Sequence, residues 1–247
     1  QEADYGNLSC DYASNSVLDT RKVGDLIIHL TNGSFDVGDM VHGEVDWTRR
    51  RQLMDHHTAV HIVGGAARRL LGPHIYQAGA NKSVESARLD ITHHKRLTRA
   101  ELDAIESLAN EVIHSVARTE KITLDRKDAD RKYGFDLYQG GAPKGSDIRI
   151  LRISDHDIQA CGGTHHDEPG RIGQIRVIRS NAVQDGVERL HIVAGQAAMD
   201  HARNQEAILR DTSDVFQVPL EDLPATATRF FSEWKLSLIH ISEPTRR

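Results

Sequence analysis

His57-Thr58-Ala59-Val60-His61 sets two imidazoles four residues apart. On a helix that is about one turn, which lets both rings reach a single ion at roughly 2.0–2.1 Å. Cys161-Gly162-Gly163-Thr164-His165 repeats the spacing with a thiol and an imidazole, and its glycines let the backbone bring both side chains toward one point. Three imidazoles and a thiolate are the borderline-soft donors that zinc takes, in the number a tetrahedral site needs. One zinc ion held by His57, His61, Cys161 and His165 is therefore the leading reading, set against a core histidine pair with an unrelated buried cysteine. Four protein ligands fill a tetrahedron, whereas a catalytic zinc keeps a position for water. A catalytic role would require one ligand, His165 being the candidate, to be loosely held, and the sequence leaves catalytic and structural zinc both open. The general-base Glu of the zincin proteases is missing, since Thr58 follows His57. Asp55-His56-His57 mimics a phosphoesterase signature, but without a second set of aspartates it is a coincidence.

The elements that must position these residues are legible from periodicity. Leu53, Val60, Val63, Ala67 and Leu70 predict a helix over 49–71, stopped by Gly72-Pro73, with His57 and His61 on one face. Alternation over 88–92 predicts a strand. Thr98 and Glu101 form a capping-box pattern ahead of the stripe Leu102, Ile105, Leu108, Ala109, Val112, Ile113 and Val116. Strands follow at 121–124 and, after a polar, Gly-rich stretch through Gly145, at 148–153, which leads into the Cys161 loop. Residues 172–183 and 187–194 flank Asp185-Gly186, a hairpin signal, and 196–210 reads as a helix. Ahead of the long helix, 26–30 and 38–45 read as short strands of a small β-barrel. The chain opens on Gln1 and runs straight into strand-and-turn sequence, which reads as a start inside a domain, the mark of a fragment. Residues 236–247 share no periodicity with what precedes them and are set apart as an artefactual tail.

Composition bounds the rest. With 247 residues, 38% hydrophobic and 27% charged, the chain is globular rather than disordered. No apolar run has the length of a membrane span and no signal-peptide pattern opens the chain, so the cytoplasm is the expected compartment. Two cysteines make no disulfide framework, and a thiol used as a ligand fits better. A net charge of −5 argues against bulk electrostatic binding of nucleic acid, although Arg49-Arg50-Arg51, Arg68-Arg69, His94-Lys95-Arg96 and Arg131-Lys132 offer local phosphate contacts.

His57-Thr58-Ala59-Val60-His61 with Cys161-Gly162-Gly163-Thr164-His165 resembles the paired motif of alanyl-tRNA synthetase editing regions and of free-standing alanyl-tRNA editing proteins. The likeness extends through Val45-Asp46-Trp47-Thr48-Arg49-Arg50, Gly186-Val187-Glu188-Arg189-Leu190 and Ala194-Gly195, covers most of 20–200, and is archaeal-like. It implies an α+β fold: a partial N-terminal β-barrel over 1–48, a zinc-binding editing core of mixed sheet and helices over 49–195, and a helical linker over 196–235, ahead of the tail at 236–247. The implied activity is zinc-dependent hydrolysis of Ser-tRNA(Ala) and Gly-tRNA(Ala), because a pocket built for alanine excludes neither glycine nor serine well. Zinc could polarise the ester carbonyl, position the ribose or activate water. Thr58 and Gln77 are the candidates for substrate contact or water placement, against the plain alternatives of a helix-bonded hydroxyl and a solvated strand residue. No carboxylate stands out as general base. The implied partner is the tRNA(Ala) acceptor end. The parent would be alanine–tRNA ligase, whose aminoacylation domain lies outside this sequence and whose further C-terminal region would carry oligomerisation. Two alternatives stand: a non-catalytic, zinc-stabilised tRNA-binding module, and a threonyl-tRNA synthetase-type editing module.

Overall fold

Four short strands open the chain. β1 (Gly6–Ser9), β2 (Ser14–Val23), β3 (Leu26–Thr31) and β4 (His42–Val45) pair antiparallel in the order β3-β2-β1-β4. This computed structural model describes residues 2–24, 26–143 and 145–242, with side chains to 238. The expected partial barrel is an open sheet among the described residues, with β3 and β4 as its edges. The strand expected over 38–45 is shortened to β4 because the Asp36 N–H donates to the Asp39 carboxylate at 2.8 Å and the Asp39 N–H returns to the Asp36 carbonyl at 3.2 Å. That closes a turn where the alternation predicted extended chain.

Asp46 then starts helix α1 (Trp47–Leu71), its carboxylate accepting the Arg49 N–H at 3.0 Å, and Gly72 ends it at φ 121°. From 52 to 63 every residue of α1 is buried, although six of the twelve are Gln52, Asp55, His56, His57, Thr58 and His61. Buried polar side chains need partners, and these have them: Gln52 donates to the Ala194 carbonyl at 2.9 Å, and His56 Nδ1 lies 2.7 Å from the Ser83 carbonyl.

The sheet under α1 comprises β5 (Gln77–Lys82), β6 (Ala87–Thr92) and, later in the chain, two further strands. Between them come α2 (Arg99–His114), β7 (Thr119–Asp125), α3 (Arg126–Tyr133), β8 (Asp147–Ile153) and β9 (Asp157–Ala160). The hairpin β10 (Ile175–Gln184) and β11 (Val187–Ala194) follows, with Gly186 at φ 74° in its turn. One antiparallel sheet runs β10-β11-β6-β5 and another β7-β8-β9. Helix α1 packs on β5, β6 and β11, while α2 lies against α1 and β10. Fully buried Ile62, Leu89, Ile105, Ile175 and Leu190 join these elements in one core, each contributing about 1.5–3 kcal/mol relative to exposure.

Helix α2 has the full capping box, with Thr98 accepting the Glu101 N–H and Glu101 accepting the Thr98 N–H at 2.8 Å. Hydrogen bonds from the Thr98 backbone, then Lys95 and the Thr98 hydroxyl, hold the Glu101 carboxyl down to about 2, so this contribution is present above its ordinary 4.5 and fades as pH falls toward 2. Thr98→Ala is expected to cost about 0.5–2 kcal/mol at neutral pH, measured by urea denaturation; an unchanged midpoint would remove the cap from the account.

The chain divides into two compact units, 1–199 and 200–247. The second holds most of α4 (Gln196–Phe216) and α5 (Leu223–Ser242), where Phe216 and Phe230 meet edge to face at 5.9 Å. Helix α5 continues through 236–242 of the segment set apart above, and 243–247 lie outside the described residues. None of the described helices is long and apolar enough to cross a membrane.

Candidate metal centre

Helix α1 and the loop after β9 bring His57, His61, Cys161 and His165 together, with one donor atom of each lying within 4.8 Å of the others. Cys161 Sγ is 3.5 Å from His57 Nε2 and 3.2 Å from His165 Nε2, and the His57 and His165 ring centres are 4.2 Å apart. This group can bind a metal ion.

Two of the donors are steered by neighbours. His61 Nδ1 lies 3.2 Å from Asp157 Oδ2, which turns the opposite nitrogen toward the cluster, and Gln159 donates to the other Asp157 oxygen at 3.0 Å. His165 Nδ1 lies 3.4 Å from the Thr58 hydroxyl, which also accepts the His166 N–H at 3.3 Å. The next residue anchors the loop from beneath, because His166 Nε2 meets the buried Asp55 carboxylate at 2.6 Å. Gly163 fits only as glycine: a Cβ there would stand 2.0 Å from His57 Cε1.

Electrostatics divide the donors. Burial, then His165, Lys82 and His61, pushes His57 far below its ordinary 6.5, and burial with His61, Arg149 and Lys82 lowers His165 to about 2. Both are neutral rings with lone pairs to offer. Burial opposes charge on His61 too, but Asp157 and Cys161 outweigh it and raise the ring to about 9. Burial likewise works against the Cys161 thiolate, yet His61, the Gly163 N–H and Lys82 bring the thiol below its ordinary 9.0. The thiolate and the neutral rings of His57 and His165 are ready to bind a soft or borderline cation, whereas His61 must give up its proton as the metal enters.

Residues 148–191 match the threonyl and alanyl tRNA synthetase second additional domain. The chain is 46% identical over 235 residues to an alanine–tRNA ligase of Haloquadratum walsbyi and 47% identical over 237 residues to one of Pyrococcus furiosus. In sequence the chain is similar to an alanyl-tRNA synthetase-type editing region. Each match takes in 95% of this chain but only 25% and 26% of the respective relative, so the chain spans about a quarter of the length of the ligases it matches.

Gln77 stands at the start of β5, its backbone N–H bonded to the Gln139 side chain at 2.9 Å and its amide packed beside Gly140. It lines a small cavity with Val60, Gln139, Asp157 and Gln159, on the Asp157 side of His61. Thr58 is fully buried and engaged as described. Sequence reasoning did not single out Asp157, His166 or the buried Lys82, and it set Asp55 aside with the phosphoesterase-like run. For His166 and Asp55 a signal existed, since both stand beside the motifs; Asp157 and Lys82 meet His61 and Cys161 only through the fold.

The basic runs divide as well. Arg49 pairs with Glu2 at 2.8 Å, Arg50 with Asp4, Arg68 with Asp136 at 3.4 Å and Lys95 with Glu101 at 3.0 Å. Arg131 pairs with Asp128 at 3.2 Å, and Lys132 lies over the Tyr133 ring. Arg51 and Arg96 are exposed and form no ion pair among the described residues.

Proposed function

We propose that this chain is a zinc-dependent editing hydrolase that clears serine and glycine from mischarged tRNA(Ala). The observation carrying the reading is the convergence of His57, His61, Cys161 and His165 on one point, in a chain whose relatives are named alanine–tRNA ligases. The donor set fits zinc: three imidazoles and one thiolate, on a loop whose glycine lies against a ligand ring. Bound there, zinc would supply a Lewis acid for an ester carbonyl or for water.

The chain's own residues arrange the rest. Asp157 fixes the tautomer and angle of His61, and Thr58 positions His165, so it reaches the site through that ring. Gln77 is the candidate for meeting the substrate. The buried Lys82, whose ammonium burial disfavours, adds positive charge beside Cys161 that favours an electron-rich substrate atom. Arg51 and Arg96 are the cations proposed for the tRNA phosphates.

Asp157→Asn is expected to weaken zinc binding by about 10- to 100-fold, read by competition with a chelator while the melting temperature holds. Unchanged affinity would mean that Asp157 does not orient His61. The activity itself is tested by incubating the purified chain with Ser-tRNA(Ala), Gly-tRNA(Ala) and Ala-tRNA(Ala), with metal assayed on the same sample. Hydrolysis of the first two with Ala-tRNA(Ala) spared supports the proposal. A folded, zinc-loaded chain that binds tRNA without hydrolysing it would be the tRNA-binding module instead, in which four protein ligands make zinc structural.

A further inference from the structure

The geometry points to a second metal centre, built from His74, His93 and His94, that takes a divalent first-row transition ion of the nickel or copper kind through three imidazoles. His74 lies between α1 and β5, while His93 and His94 directly follow β6. One ring nitrogen of each lies within 4.8 Å of the others, as in the first cluster, but here no thiol or carboxylate takes part. The ring centres of His74 and His93 are 5.2 Å apart, those of His93 and His94 4.9 Å and those of His74 and His94 5.6 Å.

The backbone holds the three in place. The Thr92 hydroxyl donates to the His74 carbonyl at 2.5 Å and accepts the Tyr76 N–H at 2.8 Å, tying the segment before β5 to the end of β6. The His93 N–H donates to the Gly186 carbonyl in the β10–β11 turn at 2.9 Å. His93 is 4% exposed and its Nε2 is buried without a hydrogen-bond partner, whereas His74 and His94 are exposed. The site therefore has one fixed imidazole and two on the rim, open to an ion arriving from solvent.

The donor chemistry narrows the metal class. His74 Nε2 and His93 Nδ1 face each other at 3.0 Å. The set is all imidazole with no thiol, and imidazole is among the preferred ligands of nickel and copper. A single shared proton would satisfy the His74–His93 pair alone, whereas one metal ion would engage all three rings through the nitrogens that converge.

The test is equilibrium dialysis of the full chain against Ni²⁺ alone, with elemental analysis of the retained metal, beside Cys161→Ala, the pair His74→Ala with His94→Ala, and all three substitutions combined. The chain is expected to hold two equivalents, each of the first two variants about one, and the combined variant none. Both rim histidines are exposed, and circular dichroism checks that the fold persists. On the unsubstituted chain, trace Cu²⁺ should broaden the NMR ring signals of His74, His93 and His94 in addition to those of the Cys161 cluster. Retention of the same number of ions after His74 and His94 are removed, or sharp signals from all three rings, overturns the proposal.

Discussion

Cys161→Ala is expected to leave the chain folded, to empty the candidate zinc centre and to lower deacylation of Ser-tRNA(Ala) by at least about 100-fold. The magnitude follows from the ligand's place: partners one shell out from a metal typically cost 10–100-fold when removed, and Cys161 is a proposed direct donor. Its sulfur is the one soft donor of the cluster and the atom that approaches both His57 and His165, at 3.5 and 3.2 Å. The fold should survive because Cys161 is only partly buried and packs at the margin of the main core. Deacylation rate, bound metal and circular dichroism measured on one sample separate the cases. Full-rate hydrolysis with the metal gone would mean that this cluster does no chemistry. Loss of fold together with metal would make zinc a structural element.

Gly163→Ala should be nearly as damaging, although it changes no donor atom. A Cβ at 163 would stand 2.0 Å from His57 Cε1 and 2.5 Å from Nδ1, far inside any tolerable contact. His57 cannot retreat, because α1 is buried on every side at that level and its neighbours His56 and Thr58 are 0% exposed. The loop must move instead, and it carries both Cys161 and His165. Overpacking of this kind costs about 1–3 kcal/mol, and the displaced donors should reduce metal affinity as well. Gly162 supplies the control, since a Cβ there meets nothing within 4 Å, and Gly162→Ala should stay within about 0.5 kcal/mol of the parent. Denaturation midpoints and metal content of the two variants check this; equal effects would show that the contact with His57 is not what requires glycine.

Much of the frame is written locally. The Thr98-Glu101 box, the apolar stripe behind it and Asp185-Gly186 each carry their own short-range energetics, and they appear in the structure as α2 and as the β10–β11 turn, except that α2 stops at His114 and leaves Val116 outside it, 97% exposed. Helix α1 begins two residues earlier than its apolar spacing implied, because Asp46 caps it and a cap lies outside the stripe. The hairpin's first strand begins at Ile175 rather than 172, where Pro169–Ile172 forms a 3₁₀ turn that alternation alone does not reveal. The polar stretch before 145 contains α3, whose single buried residue, Ala129, gives almost no periodic signal. Strand β2 was equally hidden, since its charged residues Asp19, Arg21 and Lys22 blur the alternation of a strand that buries only Val17.

Which side chains are able to ligate a metal is legible along the chain, because a donor's identity is chemical and spacings such as His57-x-x-x-His61 and Cys161-x-x-x-His165 are local. Folding brings two motifs about a hundred residues apart to one point, sets Asp157 and Thr58 against the rings of His61 and His165, and anchors the loop to Asp55 through His166. Only the tertiary structure gathered His74, His93 and His94, whose positions in the sequence follow no ligand spacing. The reason is common to all of them: second-layer partners are chosen by burial and direction, which arise when α1 is enclosed by sheet and loop, and neither quantity exists in a chain that has not folded.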